Sequence, residues 1–346
     1  MHMNNSAPLV SVVMPAYNAS KFIGRAIESV LSQSYSNIEL VITDDASTDN
    51  TCEIIKKYKD DRVKLIEQKV NSGSAYVPRY QAYRQSTGEY VLNLDSDDYL
   101  EPMYIEQLMS RLLACQADVC CGWMVLVDEE ENLLNEEVYV PKVDFNFESQ
   151  MTGREAYFNT VAGWKIAMNG CLAKREAWGY GYKRTYKAGK RGIHDDENVS
   201  RFLLLWAKKV VFAKARHFYT VNQKSVTHVF NERIFDFMRS EVDLLQFIGE
   251  DYDKESPEYQ AVEADDYMAF CYARNELLNA VDNLQDEKLT WYIKEMKRWH
   301  ERLNWQTVRK YVSSVRWLMD RSYWLGMGGR MLKRKQLKPL MHLMIK

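Results

Sequence analysis

Tyr90-Val91-Leu92-Asn93-Leu94-Asp95-Ser96-Asp97-Asp98 is a short apolar run closed by three carboxylates. The run reads as a buried strand. Its carboxylates then fall at the C-terminal end, which is where ligands bind in open α/β sheets. Carboxylates this close repel one another, and a cation most easily keeps them ionised. A hard divalent ion held by one or two carboxylates plus substrate phosphates meets that need. An Asp-rich solvated turn is the competing reading, and the rest of the chain decides between them.

Upstream, Val10–Met14 reads as a strand ended by Pro15, with Pro15-Ala16-Tyr17-Asn18 as a loop. Phe22, Ile23, Ala26, Ile27, Val30 and Leu31 then recur at i, i+3, i+4 spacing, so a helix is expected from about Ser20. Ile38–Ile42 is a second strand running into Thr43-Asp44-Asp45-Ala46-Ser47-Thr48-Asp49. A helix carrying Ile54, Ile55 and Tyr58 follows, with Thr48 or Asp49 as its N-cap. Val63–Ile66 is a third strand, Asn71–Ser74 a turn, and Tyr76–Ser86 a helix. Strands alternating with helices over short connections predict a parallel sheet with right-handed crossovers. Polar residues recur at the strand C-termini: Tyr17 and Asn18, Asp44 and Asp45, Asn71, then Asp95 and Asp97. A nucleotide site along that edge is the expectation. Neither a GxGxxG turn nor a P-loop follows the first strand, which demotes dinucleotide redox enzymes and NTPases.

Four strings then act together: Val12-Val13-Met14-Pro15-Ala16-Tyr17-Asn18, Ser29-Val30-Leu31-Ser32-Gln33, Asp44-Asp45-Ala46-Ser47-Thr48-Asp49-Asn50-Thr51, and Gly88-Glu89-Tyr90 leading into Asp95–Asp98. Each is weak alone. In this order and spacing they resemble the family 2 glycosyltransferases, of the bacterial cell-surface polysaccharide type, over roughly residues 9–230. The resemblance implies a GT-A fold with a Rossmann-like, mostly parallel sheet. It also implies an inverting, metal-dependent transfer from a UDP-sugar to a hydroxyl of a saccharide or lipid-linked glycan, of hexosyl or N-acetylhexosaminyl type.

By that resemblance Asp45 reads the uracil edge and Asp44 is its partner or a turn cap. Pro15, Tyr17 and Asn18 wall the base pocket. Asp95 holds the ribose with Ser96 beside it, and Asp97 binds Mn2+ or Mg2+. Asp98 has a supporting or acceptor-side role, or shapes the turn. Asn71 and Arg79 fall where the family has an Asn-x-Gly turn and an Ala-Arg-Asn segment near the donor. Here the latter reads Pro78-Arg79-Tyr80, so its Asn is lost. Arg79 is a candidate to neutralise diphosphate, or is a surface or structural residue. Trp164 offers a stacking face for the sugar, or packs in the core. His194-Asp195-Asp196-Glu197 precedes a helix, and the family's Glu-Asp pair becomes Asp195-Asp196 here. Asp196 is then the general base that takes the acceptor hydroxyl's proton, and an acidic N-cap is the plainer reading. His228 is a candidate for the diphosphate or the metal.

Beyond the resemblance, residues 231–346 form a helical extension, expected as a second domain after the catalytic one at 1–230. Residues 297–346 hold 13 Lys/Arg against Glu301 and Asp320, a charge of +11, while the whole chain carries −2. Residues 1–296 therefore carry −13. A basic stretch interleaved with Trp299, Trp305, Trp317 and Trp324 suits an anionic membrane surface. A contact with the acidic body or with another subunit are the alternatives. No nucleic-acid module accompanies the charge. The 346-residue chain is 46% hydrophobic and 27% charged, an ordinary globular composition. It lacks a run of about 18 apolar residues and a signal-peptide pattern, so a cytoplasmic protein, peripheral at the inner face of the cell membrane, is expected. Its six cysteines form no CxxC pair and are expected as free, buried thiols. A sugar nucleotidyltransferase would need a glycine-rich loop after the first strand. A glycosidase needs two carboxylates but no uridine pocket. A silent nucleotide-sugar-binding protein has no use for Asp196.

Overall fold

The computed structural model describes residues 7–135, 147–161, 170–187, 195–222, 235, 244–246, 248–250 and 252–311. The chain divides into two compact units, 1–225 and 226–346.

The first unit is built on a sheet that begins parallel and becomes mixed. β1 (Val10–Ala16) and β2 (Ile38–Asp44) are buried along their whole length. Strands covered on both faces read as unbroken apolar runs, which is why their signal was strong. With β3 (Val63–Glu67) and β4 (Tyr90–Asn93) they form the parallel order β3-β2-β1-β4. α1 (Ile23–Leu31) buries Ile23, Ala26, Ile27 and Val30 in the core beneath these strands. α2 (Thr51–Lys57) and α3 (Tyr76–Gln85) complete the alternation. Gly88 is required at the entry to β4. A Cβ there would lie 2.5 Å from Ser11 Oγ and 2.7 Å from the Leu9 carbonyl, so the chain passes β1 only without a side chain.

Several local expectations are corrected. Pro15 does not end β1; it pairs in register with Thr43. The physical reason is that β4 pairs with β1 only as far as Val13. The Ala16 carbonyl accepts from Asp45 N–H on the β2 side, so the alternate residue, Pro15, faces the side where β4 has ended. The missing N–H therefore costs no ladder bond. The helix expected from Ser20 starts at Ile23. At α2 the N-cap is Asn50, without a side-chain bond. Asp49 instead accepts from Thr51 N–H at 3.0 Å and Ser20 N–H at 3.1 Å.

Past β4 the sheet turns mixed, in the order β4-β9-β6-β10-β5. β9 (Cys171–Lys174) runs antiparallel between β4 and β6 (Val119–Val127). β10 (Val210–Thr220) lies parallel to β6. β5 (Tyr99–Leu100), directly after the carboxylates, pairs antiparallel with β10 through His217↔Leu100 and Phe218↔Tyr99. β7 (Leu133–Asn135) and β8 (Gln150–Met151) add to β6 and β10. α4 (Tyr104–Ala114), α5 (Gly153–Val161), α6 (Arg175–Lys187) and α7 (Asp195–Trp206) complete the described helices of this unit. The six cysteines are free, and Cys120, Cys121, Cys171 and Cys271 are buried as expected, whereas Cys52 and Cys115 are half-buried.

The described part of the second unit is helical. Ser256 caps α8 (Pro257–Ala280) by accepting from Tyr259 N–H, with Pro257 at the first position. α9 (Asp286–Arg302) and α10 (Trp305–Tyr311) follow. Phe270, Leu277, Leu289, Tyr292, Ile293, Met296, Leu303 and Val308 are buried in one cluster, and Trp299 and Trp305 pack against it. Part of the basic stretch 297–346 thus belongs to this core, through Trp299, Leu303, Trp305 and Val308. Up to Tyr311 its apolar positions are spent on the core of this unit, and Arg302 lies over Trp299, 4.8 Å from the ring centroid.

Candidate active site

The C-terminal ends of β1, β2 and β4 place the first set of candidate residues together. Where β2 ends, Ala46 takes a left-handed φ of 59°, and after β1 Asn18 takes 48°. The two turns are stitched to each other. Asn18 Oδ1 accepts from Thr48 N–H at 2.8 Å, and Asn18 N–H donates to Ser47 Oγ at 3.0 Å. Asp44 acts inside this turn, accepting from Ser47 N–H at 3.1 Å and from Ser47 Oγ at 2.5 Å. Asp45 is also buried, but its carboxylate turns toward the 71–74 loop. It accepts from Ser72 N–H at 3.0 and 3.1 Å and from Ser72 Oγ at 2.9 Å. Asn71 Nδ2 donates to the Asp45 carbonyl at 3.1 Å, and its Oδ1 takes Gly73 N–H at 2.8 Å. A carboxylate with about four lone-pair sites, oriented by Ser72, keeps capacity for another N–H. Tyr17, next to Asn18 in sequence, is 49% exposed.

The three carboxylates after β4 have separate surroundings. Asp95 is ion-paired with Arg79, whose side chain is only 2% exposed. Arg79 comes from α3 and points inward, so its guanidinium balances Asp95. Asp98 is fully buried. Its Oδ2 lies 2.9 Å from His217 Nε2, and its Oδ1 accepts from Thr220 N–H at 3.0 Å. Burial raises the Asp98 pKa, and the contacts from His217 and Thr220 oppose the rise. Asp97 is different. Burial first, then the charges of Asp98 and Asp95, push its carboxyl well above the usual carboxylate range, and only its own backbone N–H and Arg25 work the other way. Ser96 occupies the turn between them, closed by Asp98 N–H on the Asp95 carbonyl at 3.2 Å.

That arrangement gives a test for a bound cation. Among the described residues no three His, Cys, Asp or Glu side chains gather into a metal-holding group. A single carboxylate destabilised by burial and like charge, beside two that are already engaged, is nevertheless the donor set that suits a hard ion whose other ligands are phosphate and water. Asp97 fits that role.

Asp195 and Asp196 are the first two residues of α7, and their side chains lie outside the described ones. Trp164 and His228 lie outside the described residues altogether. The structure adds groups that sequence reading missed: Ser47, Ser72, Arg25, His217 and Thr220. A lone buried His on an apolar strand carries no signal of its partner.

A mixed sheet with acidic turns gathered on its C-terminal edge, flanked by helices, is the architecture of a GT-A glycosyltransferase. Residues 11–165 match the family described as "Glycosyl transferase family 2", so this stretch carries a family 2 glycosyltransferase domain. It is similar to the glycosyltransferase GlyG of Streptococcus pneumoniae, with 28% identity over 76% of this chain and 94% of that one. It is 45% identical to Escherichia coli chondroitin synthase over 132 residues, which are 37% of this chain and 19% of that much longer protein. In three dimensions it resembles residues 1–349 of S. aureus TarS, crystallised with UDP-GlcNAc. The TM-score is 0.64 at 17% identity, covering 96% of this chain and 89% of that one.

Proposed function

We propose that the chain moves a sugar from a UDP-sugar to a hydroxyl of a saccharide or lipid-linked glycan, with inversion. The observation that carries this reading is the division of labour among the edge carboxylates. Asp45 is aimed by Ser72, Asp95 is balanced by Arg79, Asp98 is turned inward, and Asp97 stands beside them with its ionised form disfavoured by burial and by its neighbours' charge. Tyr17, Asn18 and Asp45 would seat the uracil, Asp95 the ribose. Asp97 would hold Mn2+ or Mg2+, which when bound offsets charge on the departing diphosphate. Asp196 would take the proton of the attacking hydroxyl. The TarS complex supports a UDP-linked donor. The direct test is a thermal-shift screen of UDP-sugars with and without Mn2+. One UDP-sugar is expected to raise Tm more with the cation than without it, because ligands that bind only the folded state stabilise it. A screen in which no uridine nucleotide shifts Tm under either condition would overturn the reading.

For the basic segment 312–346, which lies outside the described residues, we propose contact with an anionic membrane surface, resting on charge and Trp content alone. No described helix is long and apolar enough to cross a membrane. A chain ending at Tyr311 keeps the α8–α10 core and should no longer co-sediment with phosphatidylglycerol vesicles. Undiminished co-sedimentation would refute the membrane role.

A further inference from the structure

The metal candidate is held from behind by three side chains to which neither the family match nor the resemblance gives a role. Arg25 of α1 donates from Nη2 to the Asp97 carbonyl at 2.9 Å and to Thr220 Oγ1 at 2.8 Å. Thr220 Oγ1 in turn donates to the same Asp97 carbonyl at 2.5 Å. One residue on, Thr220 N–H and His217 Nε2 grip the two oxygens of Asp98 at 3.0 and 2.9 Å. His217 is 0% exposed, and among the described residues its Nδ1 makes no hydrogen bond. Asp98 is thus its one hydrogen-bond partner among the described residues. The Arg25 guanidinium also lies 4.3 Å from the Tyr99 ring centroid, on the strand that follows Asp98.

These contacts fix both sides of one residue. The Asp97 carbonyl is tied to α1 and β10, and the next side chain is tied to β10 again. A peptide clamped at its carbonyl and through its neighbour's side chain has little freedom left in ψ of Asp97 or in φ and χ1 of Asp98. The Asp97 carboxylate is then presented in a fixed direction, with its own backbone N–H as a donor to it. We propose that His217, Thr220 and Arg25 are positioning residues that brace the Asp97–Asp98 turn for cation binding. The inference rests on Asp97 as the cation ligand. Groups that orient a metal ligand in this way typically contribute about 10–100-fold to metal affinity.

The test uses the full chain and Mn2+ as the probe. Bound and free Mn2+ are separated by electron paramagnetic resonance in the presence of UDP, and UDP affinity is measured without metal as the control. His217→Leu is expected to weaken Mn2+ binding about 10-fold or more, and His217→Gln, which retains a donor, to recover most of it. Metal-free UDP affinity should stay within about twofold, since the proposed nucleoside contacts at Tyr17, Asn18, Asp45 and Asp95 are made by side chains other than the three substituted. Should His217→Leu fail to fold, Thr220→Val and Arg25→Met carry the test. Each removes a hydrogen bond to the Asp97 carbonyl and should weaken Mn2+ binding by about 3–10-fold. Folded variants at all three positions that bind Mn2+ as the wild type does would overturn the brace. Wild-type protein that binds no Mn2+ with UDP overturns the cation reading and the brace with it. Wild-type binding that is lost in Asp97→Ala but kept in the three variants overturns the brace alone.

Discussion

Asp97→Ala is expected to reduce the UDP affinity measured with Mn2+ to the level measured without it, a loss of about 100-fold or more in metal affinity. The expectation follows from what the neighbouring carboxylates are doing. Asp95 lies two residues back but is held by the buried Arg79. Asp98 is adjacent but turned into the protein onto His217 and Thr220. Neither can swing to replace the lost ligand without leaving a buried charge unpaired, which costs several kcal/mol. The same substitution removes a carboxylate that burial and its neighbours disfavour. The metal-free variant should therefore be no less stable than the wild type, with a Tm that holds or rises. Binding and stability moving in opposite directions is the signature of a site that holds strain for function. Calorimetry with UDP and Mn2+ reads the first quantity, thermal unfolding the second. Unchanged affinity in Mn2+ would remove Asp97 from the role.

The contrast among these three aspartates shows where a sequence stops being informative. The order of strands and helices up to β4 was legible because β1 and β2 are buried on both faces and α1 has one clean apolar stripe. The boundary of β1 was not, because whether Pro15 is tolerated depends on how far the neighbouring β4 extends. The two-residue β5 has no periodicity to read, yet it brings Asp98 to β10. The partners of the site are non-local for the same reason: Ser72 lies 27 residues from Asp45, and Thr220 lies 122 from Asp98. Nothing in a local pattern reports such pairs. Arg79 illustrates the converse. The resemblance offered it as a diphosphate partner or a surface or structural residue, but its inward direction, onto Asp95, is a property of α3 packing. The mixed half of the sheet was equally hidden, since β9 inserts antiparallel between β4 and β6 from a part of the chain that follows both.

Asp196→Asn is expected to leave donor binding within about twofold and to lower turnover by about 10²–10⁴-fold, the usual contribution of a positioned general base. An amide of the same shape cannot accept the acceptor hydroxyl's proton, whereas every donor-side contact described above lies on other elements. The plain alternative is that Asp195 and Asp196 are an acidic start to α7. The choice of Asn separates the two. Asp196 lies inside the first turn of α7 and not at its N-cap, and loss of one charge from a first turn costs only about 0.3–1 kcal/mol. A purely structural Asp196 would thus lose a little Tm and keep its turnover. A base would keep its Tm and lose turnover, with kcat falling and the donor KM little changed, because the interaction is made only as the proton moves. Asp195→Asn supplies the internal comparison: it removes the same charge one residue away, so a general electrostatic effect on α7 would affect both variants alike. Single-turnover transfer to a saccharide acceptor, beside calorimetric UDP binding, measures the two quantities on one preparation. Turnover in Asp196→Asn equal to the wild type would place the base elsewhere, and equal losses at 195 and 196 would assign the pair to the charge of the helix start.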